Sequence, residues 1–119
     1  MVLVDTSVWI SHFRSSEKEL ARLLNNGQVF CHPFIVGELA CGNMHHRKDT
    51  LELLNMLPTT ALVTQGELMD FIERRTLAGK GIGYIDVHLL ASAILTGAPL
   101  WTMDKRLLAV ARHLKIDHH

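Results

Sequence analysis

The 119-residue sequence is poor in aromatic residues and carries no net charge. Aromatic residues make up 6% of the chain and apolar residues 48%, so the core must be built from Leu, Val, Ala and Ile, as in layered α/β domains. Twelve basic residues balance twelve acidic ones. This balance argues against broad attraction to a polyanion, so a nucleic-acid partner would need a local basic patch, metal ions or an oligomer.

Cysteines and long apolar runs are also scarce. Cys31 and Cys41 lack CxxC spacing and lie among apolar neighbours, so we expect buried, reduced thiols in a cytoplasmic protein and neither a disulfide framework nor a zinc site. No segment reaches the ~18 apolar residues that a membrane-spanning helix needs. The length predicts one domain over residues 1–119, in which His118 and His119 could be either native residues or the remnant of a purification tag.

Residues 1–10 form the stretch around which the chain is organised. The apolar run Val2–Val4 leads directly into Asp5, and such a run predicts a short strand that is buried on both faces, as in a parallel sheet. Ligands of open α/β sheets bind beyond the carboxyl ends of the strands, which makes Asp5 a candidate site residue. The alternative is that Asp5 or Thr6 only caps a helix that starts near Ser7.

Further strands are predicted at residues 29–31 and 99–103, with a weaker candidate at residues 61–63. Helical patterns separate these strands, which predicts a layered α/β domain built on a parallel sheet. Asp104 follows the strand at 99–103 and precedes a helix, so it repeats the arrangement around Asp5.

The other two candidate acids lie on helices. Glu38 is the only ionisable residue of the segment 34–41, which is apolar nearly all round and therefore predicts a buried helix in which a carboxylate needs a partner. Asp86 lies in the first turn of a helix after the glycine-rich segment 79–83. That segment matches neither phosphate-binding glycine motif and is interpreted as a connector. Asp86 could also serve only the helix dipole.

Together, the four acids suggest a metal site. A parallel α/β fold could bring Asp5, Glu38, Asp86 and Asp104 to one edge of the sheet. So many close carboxylates would not all stay ionised without cations. An all-oxygen ligand set favours Mg²⁺ or Mn²⁺ over zinc, and ions held in this way can activate water and stabilise charge on a phosphodiester. The chemistry that this pattern predicts is phosphodiester hydrolysis.

Hydroxyl and basic residues complete the candidate set. Three hydroxyl residues flank the acids, namely Thr6, Ser7 and Thr102. They could orient the metal ligands or waters by hydrogen bonds without contacting the metal themselves. The alternative is that they only make capping or turn hydrogen bonds. Polar loops carry the cations Arg47, Lys48 and Lys80, which we interpret as solvated residues or as contacts to a substrate backbone.

With these residues in view, the chain resembles the PIN domain family, and in particular the VapC-type toxins of toxin–antitoxin pairs. The matching features, in chain order, are Val4-Asp5-Thr6-Ser7, Glu38, the small-residue helix Asp86–Ala93 and Thr102-Met103-Asp104. The resemblance spans the whole chain. It implies a three-layer α/β/α sandwich with a Rossmann-like central parallel sheet. It also implies Mg²⁺- or Mn²⁺-dependent endoribonuclease activity, homodimerisation and inhibition by a cognate antitoxin whose C-terminal segment covers the active site.

The resemblance also implies roles for particular residues. Asp5, Glu38, Asp86 and Asp104 match the acids that form the catalytic metal site of the family. His88 departs from the pattern, because the family more often has an apolar residue there, and this puts local details of the metal site in doubt.

Two other functions compete with this hypothesis. One is a catalytically silent module on the same fold that binds protein or RNA, which metal titration would distinguish from a nuclease. The other is an aspartyl-phosphate phosphatase, which would need a second acid two residues after Asp5, where the sequence has Ser7.

Overall fold

The first strand is the centre of the sheet. The computed structural model describes residues 1–119, with three parallel strands in the order β2-β1-β3. The strands are β1 (Val2–Val4), β2 (Val29–Phe30) and β3 (Leu100–Trp101). All three residues of β1 are at most 2% exposed. Because successive strand residues point to opposite faces, helices must cover both sides of the sheet. The structure thus confirms the predicted α/β/α sandwich.

Seven helices surround this sheet, and several of their ends follow from local sequence. They are α1 (Thr6–Ser15), α2 (Lys18–Asn25), α3 (Pro33–Ala40), α4 (Arg47–Met56), α5 (Gln65–Arg74), α6 (Tyr84–Thr96) and α7 (Lys105–His113). Pro33 starts α3, where its missing N–H leaves no bond unmade. Thr64 and Glu67 form a capping box at the start of α5, and Gly97 ends α6 with a φ of 76°. None of these helices could span a bilayer, since each is too short or too polar.

Two strand predictions need correction. Residues 61–63 form no strand, and the sheet edge beside β2 is occupied by an isolated bridge between Cys31 and Thr59. The Cys31 N–H donates to the Pro58 carbonyl at 2.8 Å. The backbone beside β2 is therefore hydrogen-bonded before residue 61, where the predicted strand would begin. The last strand, β3, covers only Leu100–Trp101, so the predicted strand is too long at its carboxyl end. The Thr102 side chain that follows donates to Asp5 Oδ2 at 2.8 Å.

The prediction of a buried helix around Glu38 is wrong. One side of α3 enters the core through Ile35 and Leu39, but Phe34 and Glu38 are exposed on the other side. Cys41, which follows α3, is also exposed, whereas Cys31 is buried as expected. A helix that is apolar all round has the same sequence whether its second face meets its own core or another molecule, so the pattern could not distinguish the two.

Candidate active site

Asp5 occupies the carboxyl end of the central strand and is 5% exposed. Its Oδ2 accepts hydrogen bonds from the hydroxyls of Ser7 at 2.7 Å and Thr102 at 2.8 Å. The same oxygen accepts a long bond of 3.4 Å from the Ser7 N–H, so Asp5 is also the N-cap of α1. Its Oδ1 makes no hydrogen bond within the protein. One oxygen therefore holds the side chain in place and the other is available to a ligand.

The hydroxyls connect Asp5 to the second acid that follows a strand. The Thr102 Oγ1 donates to Asp5 and accepts from the Asp104 N–H at 3.1 Å. The Ser7 Oγ likewise accepts from the Met103 N–H at 2.9 Å. Since Thr102 is 4% exposed, its hydroxyl lies behind the acids and fixes the segment between β3 and α7. Thr102 and Ser7 thus contact Asp5 and the backbone beside Asp104, and their role in orienting metal ligands stays a prediction.

Asp104 is the N-cap of α7. Its Oδ1 accepts from the N–H groups of Arg106 and Leu107, each at 3.0 Å. As at Asp5, the cap uses one carboxylate oxygen and leaves the other without a partner. The capping interpretation is therefore correct for both residues, and it does not exclude a ligand role for either.

The pKa of Asp86 depends in part on the charges of the other two aspartates. The residue is half-buried in the first turn of α6, and its Oδ2 accepts from the Gly83 N–H at 3.1 Å. Burial is the main cause that raises the pKa of Asp86, opposed by the hydrogen bond from Gly83, and the charges of Asp5 and Asp104 raise it further. The structure therefore brings these three acids into one electrostatic cluster.

Glu38 contacts the residue after Asp5, but it is not among the charges that raise the pKa of Asp86. Its Oε1 accepts from the Thr6 hydroxyl at 2.8 Å, directly after Asp5 in the chain. The Oε2 atom makes no bond within the protein and Glu38 is exposed. Thr6 thus has a direct contact with one of the four acids.

The four acids offer hard oxygen ligands, which suit Mg²⁺ or Mn²⁺. No three of their carboxylates have oxygens within 4.8 Å of one another. Like charges repel, so a cation would have to draw the oxygens together. The free Oδ1 of Asp5 gives it a ligand atom already oriented by a buried network, and the donor set fits such an ion.

The basic residues named from the sequence have different surroundings. The Arg47 guanidinium donates to the carbonyls of Ala40 and Gly42 and so closes the C-terminal end of α3. Lys48 is exposed and forms no ion pair. Arg47 and Lys48 as substrate contacts stay predictions, and Lys48 has the more available charge.

Lys80 lines a groove of 430 Å³ together with Lys105, Arg106 and His113. Sequence reasoning missed Lys105 and Arg106, although they follow Asp104 directly. A signal was present, because cations in the first turn of a helix oppose its dipole and so call for another explanation. The connector makes room for Arg106, since a Cβ at Gly81 would lie 2.8 Å from the Arg106 Cδ.

His88, the departure from the family pattern, is buried between aromatic rings. Its ring lies edge-on to Phe34 and Tyr84, with centroids 4.8 Å and 4.7 Å away. Burial lowers the pKa of His88, and it lowers the pKa of the neighbouring His32 to about 4, where His88 itself adds a smaller effect. Both rings are therefore neutral at pH 7. His88 here packs as an apolar residue would.

Comparisons with known proteins agree with this geometry. The family model described as PIN domain matches residues 2–113. Ribonuclease VapC32 of Mycobacterium tuberculosis, from strains H37Rv and CDC 1551, is 46% identical over 110 residues, which cover 92% of this chain and 89% of the relative. The crystal structure of PAE2754 from Pyrobaculum aerophilum superposes with a TM-score of 0.62 over 92% of this chain and 78% of that one, at 16% identity, and so supports the fold. This chain belongs to the PIN domain family.

Proposed function

We propose that this protein is a metal-dependent endoribonuclease and the toxin of a toxin–antitoxin pair. The observation that carries the proposal is the hydroxyl network at the carboxyl end of β1, in which Ser7 and Thr102 hold Asp5 Oδ2 and Thr102 accepts from the Asp104 N–H. Asp86 lies near enough for the charges of Asp5 and Asp104 to raise its pKa. The support from relatives is the 46% identity to a protein named ribonuclease VapC32. No feature of the structure favours the alternative, a catalytically silent binding module. The acids have carboxylate oxygens without hydrogen bonds beside an ordered network of hydroxyls, as a metal site requires.

In this proposal Asp5, Asp86, Asp104 and Glu38 hold Mg²⁺ or Mn²⁺. When bound, such an ion lowers the pKa of water and stabilises charge on the phosphate oxygens. Asp5 presents its Oδ1 in a fixed direction, because Ser7 and Thr102 hold Oδ2. Glu38 keeps Oε2 free and exposed, where it can accept a proton from an attacking water.

The test is RNA cleavage by purified protein with Mg²⁺, Mn²⁺ or excess chelator. We expect internal cleavage with either ion and none in chelator, followed by recovery when the ion is restored. Cleavage that proceeds equally well in chelator would overturn the metal requirement. A protein that binds RNA but never cleaves it would favour the silent module.

The groove of Lys80, Lys105 and Arg106 is proposed as the path of the RNA backbone, because it continues from Asp104 at the start of α7. Changing these three residues singly to Gln should lower the salt dependence of RNA binding, by about 0.7 in logarithmic slope for each phosphate that is no longer neutralised. Filter binding over a series of salt concentrations measures this slope. Lys18→Gln, at an exposed position on α2, is the matched control. Lys48→Gln tests the predicted contact of Lys48, which the structure places in the first turn of α4. A variant with an unchanged slope shows that its residue does not contact the RNA backbone.

An antitoxin is proposed as the protein partner. A second groove of 540 Å³ begins beside Glu38 and combines the apolar residues Ile10, Phe13 and Leu39 with the cation Arg14. A peptide segment with apolar and acidic side chains would fit this groove and cover the acids. A cytoplasmic location suits this role, since Cys31 and Cys41 are free thiols.

We also propose a homodimer through the exposed side of α3. Phe34, Cys41 and Tyr84 are exposed along a nearly apolar groove of 420 Å³ between α3 and the start of α6. Covering such a patch with a second copy removes apolar area from water. Light scattering should show a dimer that Phe34→Lys weakens at least tenfold. Met56→Lys replaces an exposed apolar residue elsewhere and should leave the dimer intact. A monomer at all micromolar concentrations would contradict the proposal.

A further inference from the structure

A second group of metal-ligating side chains lies apart from the acids. Glu19, in the first turn of α2, faces His118 and His119 in the C-terminal segment. The Glu19 Oε1 lies 3.3 Å from the His118 Nε2, and the Glu19 Oε2 lies 2.9 Å from the His119 Nε2. One ligand atom from each residue lies within 4.8 Å of the other two. Elsewhere in the chain no three such side chains converge so closely.

The two histidines are held in place by the sheet. Asp117 forms a parallel bridge with Leu100 of β3, and the His118 N–H donates to the Leu100 carbonyl at 3.1 Å. The Trp101 ring packs against both imidazoles, with centroids 5.3 Å and 6.0 Å away. Although the sequence suggests a tag remnant, this segment packs as part of the domain. The orientation of the His118 ring in particular is restricted by its backbone bond and by Trp101.

We propose that Glu19, His118 and His119 form a binding site for a transition-metal ion of the Zn²⁺ class. Two imidazoles and a carboxylate are an established zinc ligand set, with a fourth position open to water. Bonds of about 2.0–2.1 Å in a tetrahedron place ligand atoms roughly 3.3 Å apart. The Glu19 Oε1–His118 Nε2 separation of 3.3 Å has this value. The His119 Nε2 lies 2.9 Å from the other Glu19 oxygen, and one ligand atom from each of the three residues lies within 4.8 Å of the other two. Small side-chain rotations would therefore complete the site.

The charged side chain nearest to Glu19 does not prevent an ion from binding. Arg22 lies 3.8 Å from the Glu19 Oε1, but its side chain is 62% exposed and can turn away into solvent. The donor set also separates this site from the acids, because imidazole selects zinc-like ions while carboxylates suit Mg²⁺. An ion bound here would join α2 to the C-terminal segment, which extends the sheet beside β3. It would thereby stabilise the folded chain.

The experiment is titration of metal-free, full-length protein with Zn²⁺ by calorimetry and thermal melting, with excess Mg²⁺ present to occupy the acids. We expect one equivalent of Zn²⁺ to bind and to raise the melting temperature. Glu19→Gln and His118→Gln should each weaken binding at least tenfold. His113→Gln is the matched control, since it removes an exposed histidine at the end of α7.

Two results would overturn the proposal. One is the absence of Zn²⁺ binding in the presence of Mg²⁺, and the other is binding that survives both substitutions. Co²⁺ provides a measurement on the unsubstituted protein. Its visible spectrum should show a four-coordinate ion, and the imidazole signals of His118 and His119 should broaden selectively in NMR spectra. A six-coordinate spectrum without effects on these histidines would also contradict the site.

Discussion

Asp5→Asn is expected to lower RNA cleavage by orders of magnitude while the protein stays folded. Asn caps a helix about as well as Asp, so α1 keeps its start and the side-chain carbonyl can still accept from Ser7 and Thr102. The substitution removes the negative charge and replaces a carboxylate oxygen by an amide group. An amide nitrogen cannot ligate a cation, so both metal affinity and activity should fall.

Thermal melting separates the two roles of Asp5. Wild type should melt at a higher temperature with Mn²⁺ than with chelator, and Asp5→Asn should lose most of this shift. In chelator the variant should be as stable as wild type or more so, because repulsion among the acids is reduced. Asp49→Asn, an exposed acid in the first turn of α4, is the control and should change stability by well under ~1 kcal/mol. If Asp5→Asn keeps both cleavage and the Mn²⁺ shift, Asp5 is only a cap.

Thr102→Val is expected to reduce cleavage or metal affinity by roughly 10- to 100-fold, the usual effect of removing a partner that orients a metal ligand. Val has nearly the shape of Thr but lacks the hydroxyl. The change leaves Asp5 Oδ2 with only its bonds from Ser7, and it leaves the Asp104 N–H without its acceptor. Two acids would lose orientation through a residue that itself touches no ligand.

Thr102→Ser is the matched variant, because it restores the hydroxyl while removing one methyl group. We expect it to recover most of the activity, and Mn²⁺ titration of both variants should show weakened affinity only in Thr102→Val. Equal defects in Val and Ser variants would mean that packing of the Thr102 methyl, and not its hydrogen bonds, is what the site requires.

Several features were determined by local sequence. The apolar run of β1 needs cover on both faces wherever it is placed, so burial and the carboxylate at its end could be read directly. The proline at the start of α3, the capping box of α5 and the cap at Asp104 depend on groups at most three residues apart. Such contacts form within a single turn, and their geometry follows from residue type and spacing.

Other features depend on which parts of the chain meet. Asp86 is 81 positions from Asp5, and only the packing of α6 against the sheet shows that their charges interact. The sequence cannot show that Arg47 is used to close α3 while Arg106 lies over Gly81, because each pairing depends on a contact between separate elements. The exposed side of α3 also could not be predicted from the sequence. An apolar residue looks the same in the sequence whether it is covered by the protein's own core or by a second molecule. Sequence alone therefore determined the first strand, the caps and the candidate acids. Tertiary packing decided which later segments pair with the sheet, which charges face one another and which apolar face is left for a partner.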